Sequence, residues 1–252
     1  MGTARYPGST AVSCLIALAL SAGAVSSQVP PAAVRRPAAE PEPTPVPTGT
    51  PRITLPEPGT GSGMSLEEAM RGRRAPRSFA AAPVTLADVG QLLWAAQGVT
   101  GNHGRRAAPS AGGLFPLEVI VVAANVTGLP PAVYRYLPPT HELVRIGRGD
   151  PRPQIAEACH FPALTRVPAI FVITGVESRT EKEYGDRAPR YVALEAGAAS
   201  QNLALEAAAL GLGCGMIVES ETAKLVPAIG TGPGEEPLTV LGVTQPDFAP
   251  RP

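Results

Sequence analysis

Two short apolar runs constrain this chain most. Residues 117–124 contain V-I-V-V and residues 169–174 read A-I-F-V-I-T, so each run reads as a strand buried on both faces. The elements around them follow no regular alternation. Ser65-Leu66-Glu67-Glu68 has the form of a capping box, which predicts a helix start, and Thr85 with Asp88 repeats it. Leu86, Val89, Leu92, Leu93 and Ala96 then form an apolar stripe at helical spacing, closed by Gly98, with Trp94 near its edge. Residues 133–137 and 143–146 read as a hairpin with His141 in its turn. A helix is predicted over 151–159 behind Asp150, a long one over 190–210 stopped by Gly211 and Gly213, and a weaker one over 221–229. A last strand is predicted over 238–243. Strands and helices mixed in this way predict an α+β fold rather than a doubly wound parallel sheet.

The first quarter of the 252 residues is different in kind. Residues 1–27 read as a secretory signal peptide: Arg5, then an apolar stretch over 11–24, then Ala22-Gly23-Ala24 as a cleavage site. An uncleaved anchor is the alternative, and export predicts a periplasmic or otherwise extracytoplasmic protein. Residues 28–63, with P-E-P-T-P-V-P at their heart, carry few large apolar side chains and read as a disordered, proline-rich linker. Residues 64–252 are left as one domain, long enough to bury a core without a metal or a disulfide.

Lysine and arginine balance aspartate and glutamate at 21 each, which gives no footprint for nucleic acid or an anionic membrane. Cys159 and Cys214 lack a CxxC context and read as two separate buried thiols. His103, His141 and His160 stand apart from one another, without the spacing of a metal site.

Three constellations carry chemistry. Arg73, Arg74 and Arg77, in R-R-A-P-R-S-F, place three guanidinium groups beside a helix end, suited to a phosphate or an electron-rich ring edge; a solvated basic patch is the bland alternative. Ser110, Gly112 and Gly113, in P-S-A-G-G-L-F-P, form a glycine turn that lets backbone N–H groups and a ligand approach closely, although a strand-entry turn would look the same. In the long predicted helix, Gly197 implies a close approach, and Gln201 and Asn202 are amides in need of partners. A helix contact across a subunit interface would supply both, and a half-exposed polar stripe is the alternative.

Taken in order, R-R-A-P-R-S-F, L-L-W-A-A-Q-G (92–98), P-S-A-G-G (109–113), V-Y-R-Y (133–136) and R-Y-V-A-L-E-A-G-A-A-S-Q-N (190–202) resemble the SagB-type dehydrogenases, a branch of the nitroreductase-like flavoproteins. The likeness runs over most of residues 65–245. It implies a central, mostly antiparallel sheet flanked by helices and a homodimer with FMN at the interface. It also implies hydride transfer between a reduced nicotinamide, NAD(P)H, or another donor and a small organic acceptor. By position, Arg73, Arg74 and Arg77 would contact the flavin phosphate, ribityl chain and pyrimidine edge. Ser110, Gly112 and Gly113 would line the ring from the partner chain, with Asn202, Val218 and Glu219 also at the cofactor.

The sequence departs from the family at three places. Ala75 stands where the family has Ser, and Met216-Ile217-Val218-Glu219-Ser220 replaces a glycine-rich, Phe-containing turn. Tyr184 keeps a position from which it could donate a proton, but Lys182 is one residue too early for the Lys-Tyr pair of peptide azoline dehydrogenases. Two further readings therefore stand beside the oxidoreductase: a flavin- or ligand-binding module outside the cytoplasm, and an azoline dehydrogenase.

Overall fold

The computed structural model describes residues 49–245, positions 62 and 77 excepted. The signal peptide, most of the linker, Arg77 and the C-terminal Arg251 lie outside the described residues. Nine strands and six helices alternate irregularly along the described chain. The strands are β1 Arg52–Thr54, β2 Val84–Thr85, β3 Leu117–Ala123, β4 Val126–Thr127, β5 Ala132–Leu137, β6 Glu142–Arg148, β7 Ala169–Val176, β8 Gly213–Ile217 and β9 Glu235–Thr244. The helices are α1 Leu66–Gly72, α2 Leu86–Gln97, α3 Arg152–Ala158, α4 Ser178–Tyr184, α5 Ala188–Ala209 and α6 Thr222–Ile229.

Seven strands form one sheet in the order β1-β6-β5-β3-β7-β9-β8, every neighbouring pair antiparallel. Alternation along β3 explains why the sheet needs cover on both faces. Leu117, Val119 and Val121 join a core with Val89, Leu92 and Leu93 of α2 and Val192, Ala196 and Leu203 of α5. Ile120 and Val122 point the other way, into a core with Ile155 of α3 and Leu225 and Ile229 of α6. A helical layer thus covers each face, which makes the fold α+β as expected.

Both capping boxes form. The Ser65 hydroxyl accepts from Glu68 N at 3.1 Å while Ser65 N donates to the Glu68 carboxylate at 2.8 Å. Thr85 and Asp88 repeat the exchange at the start of α2. The long helix ends in a Schellman motif: Gly211, at φ +74°, donates to Ala208 O and Leu212 to Ala207 O. Gly98 closes α2 for a packing reason, since a Cβ there would run into the Trp94 ring.

The structure corrects three boundaries. Arg52–Thr54, inside the stretch read as disordered linker, is an edge strand paired with β6. Its Ile53 side chain packs against the core, Leu55 just beyond it is buried, and Pro51 and Pro56 flank a strand with one open edge, where proline is tolerated. Second, β9 begins at Glu235 rather than 238, because the charge that hides it from the sequence is paired in the interior. Third, residues 213–217, read as a helix stop and turn, form β8. The glycines there serve close packing: a Cβ on Gly213 would lie 3.4 Å from Pro76, and one on Gly215 3.3 Å from Phe79.

Candidate active site

The arginine segment lies across β8. Arg73 follows α1 as its C-cap, its N–H bonded to Ala69 O, and Pro76 and Phe79 pack on Gly213 and Gly215. The Arg73 charge also acts on Cys214, though burial dominates there and pushes that thiol up to about 12. Burial likewise lifts Cys159 to about 11, and both are free, buried thiols, as expected from their spacing. Arg74 is exposed and donates one N–H to Arg73 O at 2.7 Å. Neither Arg73 nor Arg74 pairs with a carboxylate among the described residues, and Arg73 is half-buried.

The glycine turn is preformed. Gly112 and Gly113 both occupy the left-handed region, at φ +64° and +66°, where a side chain would be strained. Ala111 N donates to Glu195 Oε1 at 2.7 Å. The Ser110 hydroxyl accepts from Phe115 N at 2.9 Å. The Ser110 hydroxyl oxygen is thus used to shape the turn. Burial raises the pKa of Glu195, and the hydrogen bonds from Ala111 and Ser110 oppose this without overcoming it.

Tyr184, the last residue of α4, reaches this turn: a Cβ on Gly112 would lie 3.2 Å from its hydroxyl. Its ring pairs with Tyr191 at 4.5 Å between centroids, and the Arg187 guanidinium sits 5.9 Å from the ring centre. Lys182 is exposed two residues earlier on the same helix, about 200° around it from Tyr184.

Asn202 donates to Ala107 O at 3.3 Å and lines an open groove of about 320 Å³ with Met64, Leu66, Trp94 and Leu205. Gln201 is exposed, so the partner expected for it is not required within the chain. Gly197 is exposed as well, and a Cβ there would meet nothing within 4 Å. The close approach its sequence implies is therefore not made among the described residues. Val218 and Glu219 are exposed just past β8, and the family turn read at 216–220 shortens, because Met216 and Ile217 belong to the strand.

Two groups of predicted residues thus emerge, one on α1 and β8 and one on the glycine turn, α4 and α5. Sequence reasoning passed over Arg179, which donates to Phe115 O at 3.1 Å, and Glu118, which accepts from Arg179 at 2.6 Å. No local pattern could have joined Arg179 to a turn 64 residues away.

Comparison with known proteins agrees with this geometry. A family model described as the nitroreductase family matches residues 70–243. A Methanocaldococcus jannaschii protein named as a nitroreductase is 37% identical over 151 residues, 60% of this chain and 76% of that protein. A crystal structure from Ralstonia eutropha, described as a nitroreductase, superimposes with a TM-score of 0.69 at 28% identity, covering 84% of this chain and 98% of its own. The NADPH:FMN oxidoreductase of Vibrio harveyi, solved with NAD+, shares the fold at a TM-score of 0.54 and 17% identity, over 74% of this chain and 71% of that one.

Proposed function

Because the chain belongs to the nitroreductase family, a family of oxidoreductases, we propose that it is an FMN-dependent enzyme of the SagB-type dehydrogenase branch. On this reading it works as a homodimer and transfers hydride between a reduced nicotinamide or another donor and a small organic acceptor. The observation that carries the reading is the preformed turn at 110–113: two left-handed glycines, backbone held by a buried carboxylate, and the Tyr184 hydroxyl directly above.

The residues present fit such a cofactor. Arg73 and Arg74 have no carboxylate partner among the described residues and keep guanidinium donors, the chemistry a phosphate and a pyrimidine edge require, and Arg77 belongs to the same segment. Gly113 leaves backbone open to a flat ring, with no atom within 4 Å of where a Cβ would be, and Gly112 stands beside the Tyr184 hydroxyl. Asn202, with Val218 and Glu219 past β8, completes the set carried over from the family. Bound there, FMN supplies the capacity to accept and return hydride. The protein's share is to position donor and acceptor, and a guanidinium held near the ring favours its anionic reduced form. Tyr184 is the residue placed to hold or deliver a proton.

Dimerisation is supported by what the described surface exposes. Leu66 and Met70 on α1, Leu194 on α5, and Met216 and Val218 at the end of β8 are all more than half exposed. Such side chains on adjoining elements suit an interface between subunits. The naked face at Gly197 lies on the same long helix. The export signal read in residues 1–27 accompanies this proposal, and fusing residues 1–60 to a compartment-sensitive reporter tests it. Among the described residues no helix is long and apolar enough to cross a membrane.

The purified full-length protein should show bound-flavin absorbance, with or without added FMN, and should oxidise reduced nicotinamide. A colourless protein that takes up no FMN overturns the proposal. Flavin binding without turnover would instead favour a binding module, a reading to which the shortened turn after β8 lends support. The position of Lys182 on α4 speaks against azoline oxidation.

A further inference from the structure

We propose that Arg179, aimed by Glu118, is the positioning residue that sets the conformation of the 110–115 turn and, through it, the hold of that turn on flavin; the second half rests on the FMN reading above. The starting point is Phe115. It is buried and holds φ at +44°, a left-handed value that a bulky residue rarely adopts. Such a conformation persists only where its surroundings over-determine it.

Three contacts do so. Phe115 N donates to the Ser110 hydroxyl, Phe115 O accepts from Arg179 Nη1, and the Phe115 ring lies 4.9 Å from the Arg106 guanidinium. Ser110 and Arg106 are close neighbours in the chain and would move with the turn. Arg179 comes from α4 and does not.

Arg179 is itself braced. Its Nη2 donates to Glu118 Oε1, and the other oxygen of Glu118 lies 3.5 Å from Arg135 Nη1. Arg135 is gripped by both oxygens of Glu235, at 2.9 and 2.8 Å. Glu118, Arg135 and Glu235 are 6%, 2% and 3% exposed. The guanidinium that reaches the turn is thus the outer end of a buried chain of alternating charges running through β3, β5 and β9. Only a planar fork can serve a carboxylate and a carbonyl at once in fixed directions; an ammonium is a point charge without that geometry.

The turn is therefore pinned at two places, by Glu195 at Ala111 and by Arg179 at Phe115, with Gly112 and Gly113 between them. Releasing the second pin lets Phe115 relax toward ordinary φ values and carries the glycine backbone with it.

Arg179→Lys in the full-length protein tests this, because Glu118 keeps a cationic partner while the Phe115 carbonyl loses its donor. Three quantities are read beside wild type: FMN release followed by flavin fluorescence after dilution, the thermal midpoint, and hydrogen exchange at the Phe115 amide. The midpoint should stay close to wild type while FMN leaves roughly tenfold faster, the scale of one hydrogen bond to a charged group, and the Phe115 amide should exchange faster. A merely structural Arg179 would move the midpoint and release together. Unchanged release and unchanged exchange in Arg179→Lys overturn the clamp. A wild-type protein that binds no FMN overturns the functional reading instead, and exchange at Phe115 then decides whether Arg179 sets the turn. Should Arg179→Lys not fold, Glu118→Gln carries the same test: accelerated release supports the clamp, and wild-type release overturns it.

Discussion

Ala111 donates its backbone N–H to Glu195 Oε1 at 2.7 Å, tying the glycine turn to α5 across 84 residues of sequence. The carboxylate is buried, and burial raises its pKa. A carboxyl whose folded pKa lies above its unfolded value binds its proton more tightly in the fold, so its contribution to stability is complete at low pH and declines as pH rises from about 4.5. Denaturant titrations of wild type and Glu195→Gln should show that difference: the stability of wild type relative to the variant should fall as pH rises above that value. Glu195→Ala, which leaves Ala111 N without its acceptor, should lose about 1–3 kcal/mol.

The buried pair Arg135–Glu235 should behave in the opposite sense. Burial alone would raise the pKa of Glu235, but hydrogen bonds and charge from Arg135, with the Thr174 hydroxyl and Gly232 N–H, lower it below the usual carboxylate value. Its stabilisation is therefore present above the unfolded pKa and lost as pH falls through the depressed one. Glu235→Gln should flatten the acid limb of the stability curve. Glu235→Ala, which strips Arg135 of its bidentate partner, should lose about 3–5 kcal/mol, measured by urea unfolding at neutral pH.

His141 latches the N-terminal strand. Its Nε2 lies 3.0 Å from Pro56 O, which can only accept, so Nε2 carries the proton and Nδ1 accepts from the Tyr136 hydroxyl at 2.8 Å. Burial lowers the His141 pKa, with Pro56 O and the charge of Glu57 opposing. The neutral ring is the one the fold prefers, so stability should drop as pH falls below about 6.5 toward the lowered folded value. Leu55 N donates to His141 O, and its amide exchange, corrected for intrinsic rates, should therefore quicken between pH 7.5 and 5.5. PH-independent protection at Leu55 would show that the ring does not hold the strand.

Gly197→Leu separates fold from assembly. Nothing in its own subunit lies within 4 Å of the new Cβ, and replacing a mid-helix glycine should stabilise the helix by several tenths of a kcal/mol up to about 1. If the chain works as the homodimer proposed above, the variant should melt no lower than wild type yet elute as a monomer, with flavin lost. A dimeric variant with full flavin occupancy would place the subunit contact elsewhere.

Much of the architecture was legible because local rules acted without competition. Capping boxes announced α1 and α2, glycine announced the end of α5, and continuous apolar runs announced β3 and β7, since each signal depends on atoms a few residues apart. Where the sequence misled, a distant partner had reversed a local preference. Residues 52–54, between Pro51 and Pro56, became a strand because β6 offered an open edge and Leu55 found the core. Glu235 entered a strand because Arg135 neutralised it in the interior.

The candidate site divides in the same way. Residue identity alone determined that a basic segment, a serine-glycine turn and a glycine on a long helix existed, in an order that resembles one family. Only the tertiary structure decided that the Ser110 hydroxyl closes its own turn, that Phe115 is held in a left-handed conformation by an arginine from α4, and that Gly197 faces outward. The reason is physical: a hydrogen-bond donor carries no mark in sequence of which acceptor it will meet, and burial, which sets the strength of that bond and the pKa of its partner, exists only once the chain has folded.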